Sequence, residues 1–589
     1  MTQRDDDSPS SSSGLLSGQN LLRPRAVAAT RRGFLRDVGA GVALIGSAGL
    51  AACGGGEQIE QIPVSWKHGV ASGDPLSDRV VLWTRITTDA TGPVDVGWQV
   101  ATDEAFTNVV RFGVSTTSAS VDYTVKVDAD QLSPATRYFY RFSVVNQKSP
   151  VGKTKTTAAT GTTQVKLAVF SCSNYPTGYF NVYAEAAKRT DLDATVHLGD
   201  YIYEYASNGY ASSNAATLGR VSDPTNELLV LTDYRKRHAQ YKSDPDLQSL
   251  HASLPMIAVW DDHEIANDTW KDGAENHQAN EGDFKLRRAA ALQAYHEWMP
   301  TRVTQADIIY RSFNFGGLVA LHMLDTRLIG REKQLDYANY TTAQGLNSAA
   351  FISDLTRADR QLLGTTQTAW LQKQMTDSTA TWQVLGQQVL MGRMDIPAPI
   401  LFDALNPGTG VSISAYTALK IKQATAPNTL TPTEQFILAQ PAIPYNLDAW
   451  DGYYAARETV LGMAKALNKN LVVLAGDTHN AWGNDLKDQS GNQVGVEFGV
   501  SSVTSPGFES IFVNDNPVTL AASLEQLIDP LVYADTSRRG YSVITATATE
   551  CRCDWIYVST ISSRTYTATT GKSLRMLPGT GNRKLVATA

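Results

Sequence analysis

The sequence predicts a two-part protein: a layered α/β domain with β-sheets flanked by helices, preceded by a small fibronectin/Ig-like β-sandwich. Three observations carry this. At 589 residues the chain exceeds what one ordinary hydrophobic core supports. Residues 62–157 read as short apolar strands separated by turn clusters, whereas from residue 165 strands alternate with helical periodicity. In that second part, polar clusters recur just after the apolar runs, where ligands gather in open α/β sheets.

In chain order, residues 1–53 are an address rather than structure. Thr30-Arg31-Arg32-Gly33-Phe34-Leu35-Arg36, followed by a weakly apolar run over 38–52, matches a twin-arginine export signal. That route carries folded proteins, often with the cofactor already inserted, which favours a metal enzyme. Leu50-Ala51-Ala52-Cys53, followed by three glycines, resembles a lipoprotein cleavage box with Cys53 as the acylated first residue. Ordinary cleavage after a small-x-small sequence is the alternative. Several acyl chains on one residue anchor stably. The expected location is therefore periplasmic or cell-surface and lipid-anchored, with the twin-arginine translocon and the membrane as partners.

The sandwich is placed at 62–157 by Val80-Val81-Leu82-Trp83-Thr84, the alternating stretch 96–100 and turns such as Ser72-Gly73-Asp74-Pro75. Residues 132–141 have the pattern of a tyrosine corner entering a late strand. A Thr-rich stretch over 153–163 forms the joint. The α/β domain spans 165–565, with strands expected at 165–170, 194–198, 256–260, 318–324, 382–385 and 471–475. Helices are expected at 285–298, 367–375 and 452–467, and the proline-bearing 396–446 reads as an irregular insertion or lid. Residues 566–589 form a tail. Hydrophobic residues make up 42% and charged residues 19%, as in a globular protein, and the net charge of −7 gives no basis for a nucleic-acid partner.

Each strand run of the second part ends in potential chemistry. Phe170 leads to Ser171-Cys172-Ser173-Asn174, and Leu198 to Gly199-Asp200-Tyr201-Ile202-Tyr203. Trp260 leads to Asp261-Asp262-His263-Glu264-Ile265-Ala266-Asn267, Leu324 to Asp325-Thr326-Arg327, and Ala475 to Gly476-Asp477-Thr478-His479. A carboxylate at a strand's carboxyl end can bridge two metal ions, and a phenolate at Asp200+3, Tyr203, is a hard anionic ligand suited to iron. Two-metal centres hydrolyse phosphate esters by clamping the attacking and leaving oxygens together.

With these blocks assembled, the chain resembles the PhoD family of alkaline phosphatases and phosphodiesterases, a branch of the calcineurin-like metallophosphoesterases related to purple acid phosphatases around the metals. The shared blocks are residues 69–75 and 81–85, Ser171 to Tyr175, His197 to Tyr205, Trp260 to Asp268, Leu324 to Arg327, Trp450 to Tyr453, and Gly476 to His479 with Trp482. The resemblance implies Fe3+ and Ca2+. Cys172 stands where the superfamily supplies Asp and His, so Cys172, Asp200, Tyr203 and His479 are assigned to a ferric ion. Asp200 bridges to a second site of Asp262, Asn267 and Asp477, whose oxygen ligands suit a hard ion such as Ca2+. His263 resembles the histidine that contacts the phosphoryl group and stabilises the leaving oxygen.

Arg327 either offers a bidentate guanidinium to phosphate or pairs structurally with Asp325. Asp261 and Glu264 either cap the following helix or orient ligands from behind. His197 and His322 lie inside strand runs and are read as core. Cys551 and Cys553 either close a small ring or stay reduced, with a disulfide slightly favoured.

The implied function is an exported phosphoric ester hydrolase, an alkaline phosphatase acting on phosphate mono- or diesters by metal-activated water. The alternative is a phospholipase D-like phosphodiesterase. A catalytically inactive surface-binding protein is disfavoured because the ligand residues are intact.

Overall fold

A computed structural model describes residues 62–303, 305–342, 345–405, 408–513 and 515–588. Its centre is a pair of sheets, and strands of the seven-stranded one alternate their side chains between two cores. In the strand Leu471–Ala475, Val472 and Leu474 enter one hydrophobic cluster, and Leu471, Val473 and Ala475 the other, as the period of two requires. A strand apolar on both faces must lie between layers. Here the first cluster fills the space towards the ten-stranded sheet, and the second packs beneath helices Gly364–Asp377 and Tyr454–Ala466.

The seven-stranded sheet runs Arg311–Phe315, Val319–Met323, Trp382–Gly386, Leu471–Ala475, Gln493–Gly499, Ala481–Lys487, Leu531–Asp535. Its consecutive members from Val319–Met323 to Gln493–Gly499 pair in parallel. In the ten-stranded sheet, Gln164–Phe170, Ala194–His197 and Met256–Ala258 pair in parallel. Helices Leu231–Lys242, Pro245–Ser253 and Phe284–Trp298 contribute Tyr241, Leu250 and Tyr295 to the same core.

The strands of residues 62–157 divide between two sheets. Val94–Ala101, Val109–Thr117, Arg137–Val144, Gln147–Lys148 and Gly152–Lys155 form a separate five-stranded sheet. Val70–Gly73, Val80–Arg85 and Thr124–Ala129 instead extend the ten-stranded sheet, because Gly73 pairs in parallel with Met256. Val80, Leu82, Val96, Val100, Tyr140 and Phe142 close a core between the two. The Tyr138 hydroxyl accepts from the Ser133 N–H at 2.8 Å, the bond that the tyrosine-corner pattern anticipates, worth about 1 kcal/mol.

Three expectations are corrected. Residues 396–446 are not irregular: they fold into helices Ala398–Leu405, Ile413–Thr425 and Pro432–Ala439, closed at the base by the strand pair Asp395–Pro397 and Ala442–Pro444. Pro399 and Pro432 sit in the first turns of helices, where no N–H is needed. The expected tail 566–589 is, over its described residues, part of the fold: Ala568–Met576 and Val586–Ala587 are the last strands of the ten-stranded sheet, with Leu574 and Met576 buried. Cys551 and Cys553 are free; two residues apart on the strand Cys551–Val558, they point to one buried face rather than at each other. The export signal and Cys53 lie outside the described residues. Among these, no helix is long and apolar enough to cross a membrane.

Candidate metal centre

Parallel strands from both sheets end at a common place, and each delivers a polar turn. Gln164–Phe170 leads to Cys172, Ala194–His197 to Asp200, and Met256–Ala258 to Asp261, Asp262 and His263. Across the interface, Val319–Met323 leads to Arg327, and Leu471–Ala475 to Asp477 and His479. Cys172, Asp200, Asp477 and His479 have φ of 61°, 55°, 66° and 64°. Such left-handed backbone costs non-glycine residues on the order of 1–3 kcal/mol each and persists only where the surroundings fix it. Here they do. A Cβ on Gly199 would come within 2.3 Å of the Asp261 Cβ, so two ligand turns approach as closely as backbone allows.

Glu264 accepts the N–H groups of Asp200, Tyr201 and Asp261 at 3.1, 2.5 and 2.7 Å, which resolves its role as orienting ligand turns. Gln388, fully buried, bonds the Trp260 carbonyl at 2.6 Å and the Thr326 N–H at 3.1 Å, tying the two sheets together behind the site.

Ligand atoms of Cys172, Asp200 and His479 lie within 4.8 Å of one another. The Tyr203 hydroxyl joins them, 3.0 Å from Asp200 Oδ2 and 3.2 Å from His479 Nε2. The Pro506 carbonyl, 2.8 Å from His479 Nδ1, holds the proton there and leaves Nε2 as the ligand nitrogen. Two further groups satisfy the same 4.8 Å limit: Asp200, Asp262 and His263, and Asp261, Asp262 and Asp477. Asp200 thus belongs to the first two groups and Asp262 to the last two, as bridging carboxylates would.

The charge balance calls for cations. Asp200 Oδ1 and Asp261 Oδ2 are buried without any partner. Burial, with the Asp448, Asp262 and Asp268 carboxylates adding to it against Arg327, pushes Asp477 up to about 7. Burial and then the Asp200 carboxylate drive the Cys172 thiol and the Tyr203 phenol well above their ordinary values. Sulfur, phenol, imidazole and carboxylate form a donor set that suits iron, and the all-carboxylate group suits a hard divalent ion.

One residue assigned from the sequence is placed differently. Arg327 is fully buried, and its guanidinium donates to Asp261 at 2.5 Å, Asp448 at 2.6 Å and Asp477 at 2.9 Å. It has no free edge for phosphate, and Asp325 Oδ1 accepts the backbone N–H groups of Arg327 and Leu328 rather than the guanidinium. Asn267 donates its amide N–H to Glu275 at 3.1 Å and its backbone N–H to Glu204 at 2.8 Å; these bonds use its donors, and Oδ1, the ligand atom expected from the sequence, takes part in neither. His197 and His322 are core residues, bonded to Tyr183 and to Ser312 and Gln383.

Glu204 and Asp448 escaped the sequence reading. Glu204 is fully buried, accepts the Asn267 N–H and the Asn276 amide at 2.8 Å each, and holds His263 Nδ1 at 2.7 Å. Its signal was an acid four residues after Asp200. Burial disfavours charge on His263, but in the metal-free chain Asp262, Glu204 and Asp200 outweigh it and raise the imidazole well above its ordinary value. The Nε2 edge is left for the site, and Tyr203 stacks on the ring with centroids 4.1 Å apart.

Comparison with known proteins agrees with this geometry. Residues 167–555 match the model of the PhoD-like phosphatase family, and residues 52–158 match that of the PhoD-like phosphatase N-terminal domain. The chain belongs to the PhoD-like phosphatase family. It is 37% identical over 509 residues to alkaline phosphatase D of Bacillus subtilis (strain 168), covering 83% of this chain and 76% of that protein. A solved structure described as PhoD superposes with a TM-score of 0.72 at 32% identity, covering 91% of this chain and 94% of the other. This PhoD-like chain is therefore a phosphoric ester hydrolase of the alkaline phosphatase type, and the clustered ligand groups fit a metal-dependent one.

Proposed function

We propose that the chain holds a ferric ion on Cys172, Asp200, Tyr203 and His479 and a hard divalent ion such as Ca2+ on Asp261, Asp262 and Asp477, and that it hydrolyses phosphate esters outside the cytoplasm. The observation that carries this is the sharing of Asp200 and Asp262 between adjacent ligand groups, with buried carboxylate oxygens left unpartnered. When bound, such ions supply Lewis-acid stabilisation of phosphate oxygens and a water of lowered pKa.

The chain's own residues do the rest. His263, protonated and fixed by Glu204, carries a proton at Nε2 for the departing alcohol. Arg327 keeps Asp261 and Asp477 in register as a buried counter-charge. No serine or cysteine needs to form a covalent phosphoenzyme, because Cys172 is committed to the ligand group.

The test is elemental analysis and a visible spectrum of protein purified from its own export route, paired with kcat/KM on p-nitrophenyl phosphate and its bis ester. Iron and calcium in stoichiometric amounts, a thiolate- and phenolate-to-iron band, and ester hydrolysis are expected. A colourless, metal-poor but fully active protein would refute the assignment. The ratio of the two rate constants separates a monoesterase from a phospholipase D-like diesterase.

Export through the twin-arginine route with acylation at Cys53, and a fibronectin-like sandwich over residues 62–157, complete this reading. It is supported by the Arg31-Arg32 signal, the Cys53 box and the Tyr138–Ser133 bond. Mass spectrometry of the mature N-terminus decides the first: a start at an unmodified residue beyond Cys53 excludes the lipid anchor.

A further inference from the structure

Asp74, in the turn Ser72-Gly73-Asp74-Pro75, belongs to none of the ligand groups, yet all its polar atoms are engaged. Its N–H donates to the Met256 carbonyl at 3.1 Å, and its own carbonyl accepts from Arg302 at 2.8 Å. Arg311 grips the carboxylate with two parallel bonds, Nη2 to Oδ1 at 2.6 Å and Nε to Oδ2 at 2.8 Å, and Oδ2 also accepts the Arg302 backbone N–H at 2.6 Å. The Asp74 side chain is fully buried and its φ is 45°, a strained value for a residue that no ligand needs. Gly73 beside it admits no side chain, because a Cβ would lie 2.2 Å from the Pro300 carbonyl and 2.6 Å from that of Met256.

The partners of this clamp lead to the metal centre. Arg311 Nη2 also donates to the carbonyl of Ala258, the last residue of the strand Met256–Ala258 and three residues before Asp261, at 2.8 Å. Arg311 pairs in the seven-stranded sheet with Met323, the end of the strand that delivers Arg327. One buried, bidentate pair thus joins the N-terminal strand Val70–Gly73, the strand behind Asp261-Asp262-His263 and the strand behind Arg327.

We propose that Asp74 is a positioning residue for the Asp261-Asp262-His263 turn, acting through Arg311 and the Met256–Ala258 strand. The N-terminal domain is then part of the catalytic framework rather than an appended binding module. A lysine at 311 would keep the charge but lose the fork that holds Asp74 and Ala258 together.

The test is hydrogen exchange, read peptide by peptide on the full metal-free chain, in Asp74→Asn and Arg311→Lys, with Arg111→Gln on the five-stranded sheet as control. Exchange in residues 259–265 is expected to rise about tenfold while residues 165–170 keep their protection, as a local rather than a global opening requires. Unchanged exchange in the folded variants, or acceleration spread evenly over the whole core, would overturn the proposal. Should Asp74→Asn fail to fold, Arg311→Lys decides by the same criterion.

A Ca2+ titration of the iron-loaded chain gives a second readout, which rests on the proposed metals. Affinity falls about tenfold in both variants with the visible band unchanged, the size of effect that supporting residues have on a metal site. A wild-type chain that takes no Ca2+ counts against the metal reading alone, since the exchange result still decides the clamp.

Discussion

Glu204 Oε2 lies 2.7 Å from His263 Nδ1, and both groups are buried within one loop cluster. That bond fixes the ring's orientation and its charge together. Asp262 and Asp200 also favour the imidazolium, but neither is bonded to Nδ1.

Replacing Glu204 by Gln is expected to lower kcat roughly 10- to 100-fold, as loss of an orienting partner does, with little change in KM. The sign of the pH effect follows from the charge. Glu204 raises the pKa of His263, so the amide lowers it, and the alkaline limb of the kcat profile moves to lower pH. His263→Asn removes the proton donor itself and costs about 10²–10⁴ in kcat. An alkaline limb that stays in place in Glu204→Gln would show that Glu204 does not set it.

Asp200→Asn is expected to lose the ferric ion and turnover together and to weaken the divalent ion, because the carboxylate belongs to the ferric group and also lies against Asp262 of the second site. Metal content measured alongside activity checks this. Retention of full activity would remove Asp200 from the centre.

Cys172→Ser keeps a small buried side chain at a position whose neighbours already fix the backbone. The fold is expected to survive, with the visible band shifted or bleached and iron bound more weakly. A spectrum identical to wild type would mean that sulfur is not a ligand.

Arg327→Met leaves Asp261, Asp448 and Asp477 facing one another without their shared counter-charge. The metal-free variant is expected to lose about 3–5 kcal/mol of stability, part of it restored by Ca2+. Denaturant titrations with and without the ion measure both. If Arg327 were instead a phosphate clamp, stability would hold and KM would rise.

Stabilisation by cations should itself depend on pH. Asp477 and Asp268 have folded pKa values raised to about 7 in the metal-free chain, above their unfolded values near 4, chiefly by burial. Between roughly pH 4 and 7 the metal-free fold therefore holds protons that the unfolded chain has released, and their contribution to its stability declines as pH rises. Cations displace those protons, so the gap in Tm between loaded and stripped protein is expected to widen from about pH 5 to pH 8. A constant gap would show that the ligands are already ionised before metal binds.

The strand turns were legible in the sequence because each ligand follows an apolar run with a fixed chemical consequence: Gly199-Asp200 with Tyr203 three residues on, Asp262-His263, and Asp477 with His479. Local sequence determines which residues can leave a strand's end as donors, and the unbroken apolar run 471–475 fits a strand covered on both faces. What each donor meets is another matter. Arg327 faces three carboxylates from distant segments, Asp261, Asp448 and Asp477, and its sequence neighbour Asp325 accepts its backbone N–H rather than its guanidinium. Glu204 finds His263 across 59 residues, and Asp74 finds Arg311 across 237. Only tertiary packing brings these groups within hydrogen-bond reach. Because a buried charge must be paired where the chain folds rather than where it is written, the partners of the site belong to the structure and its donors to the sequence.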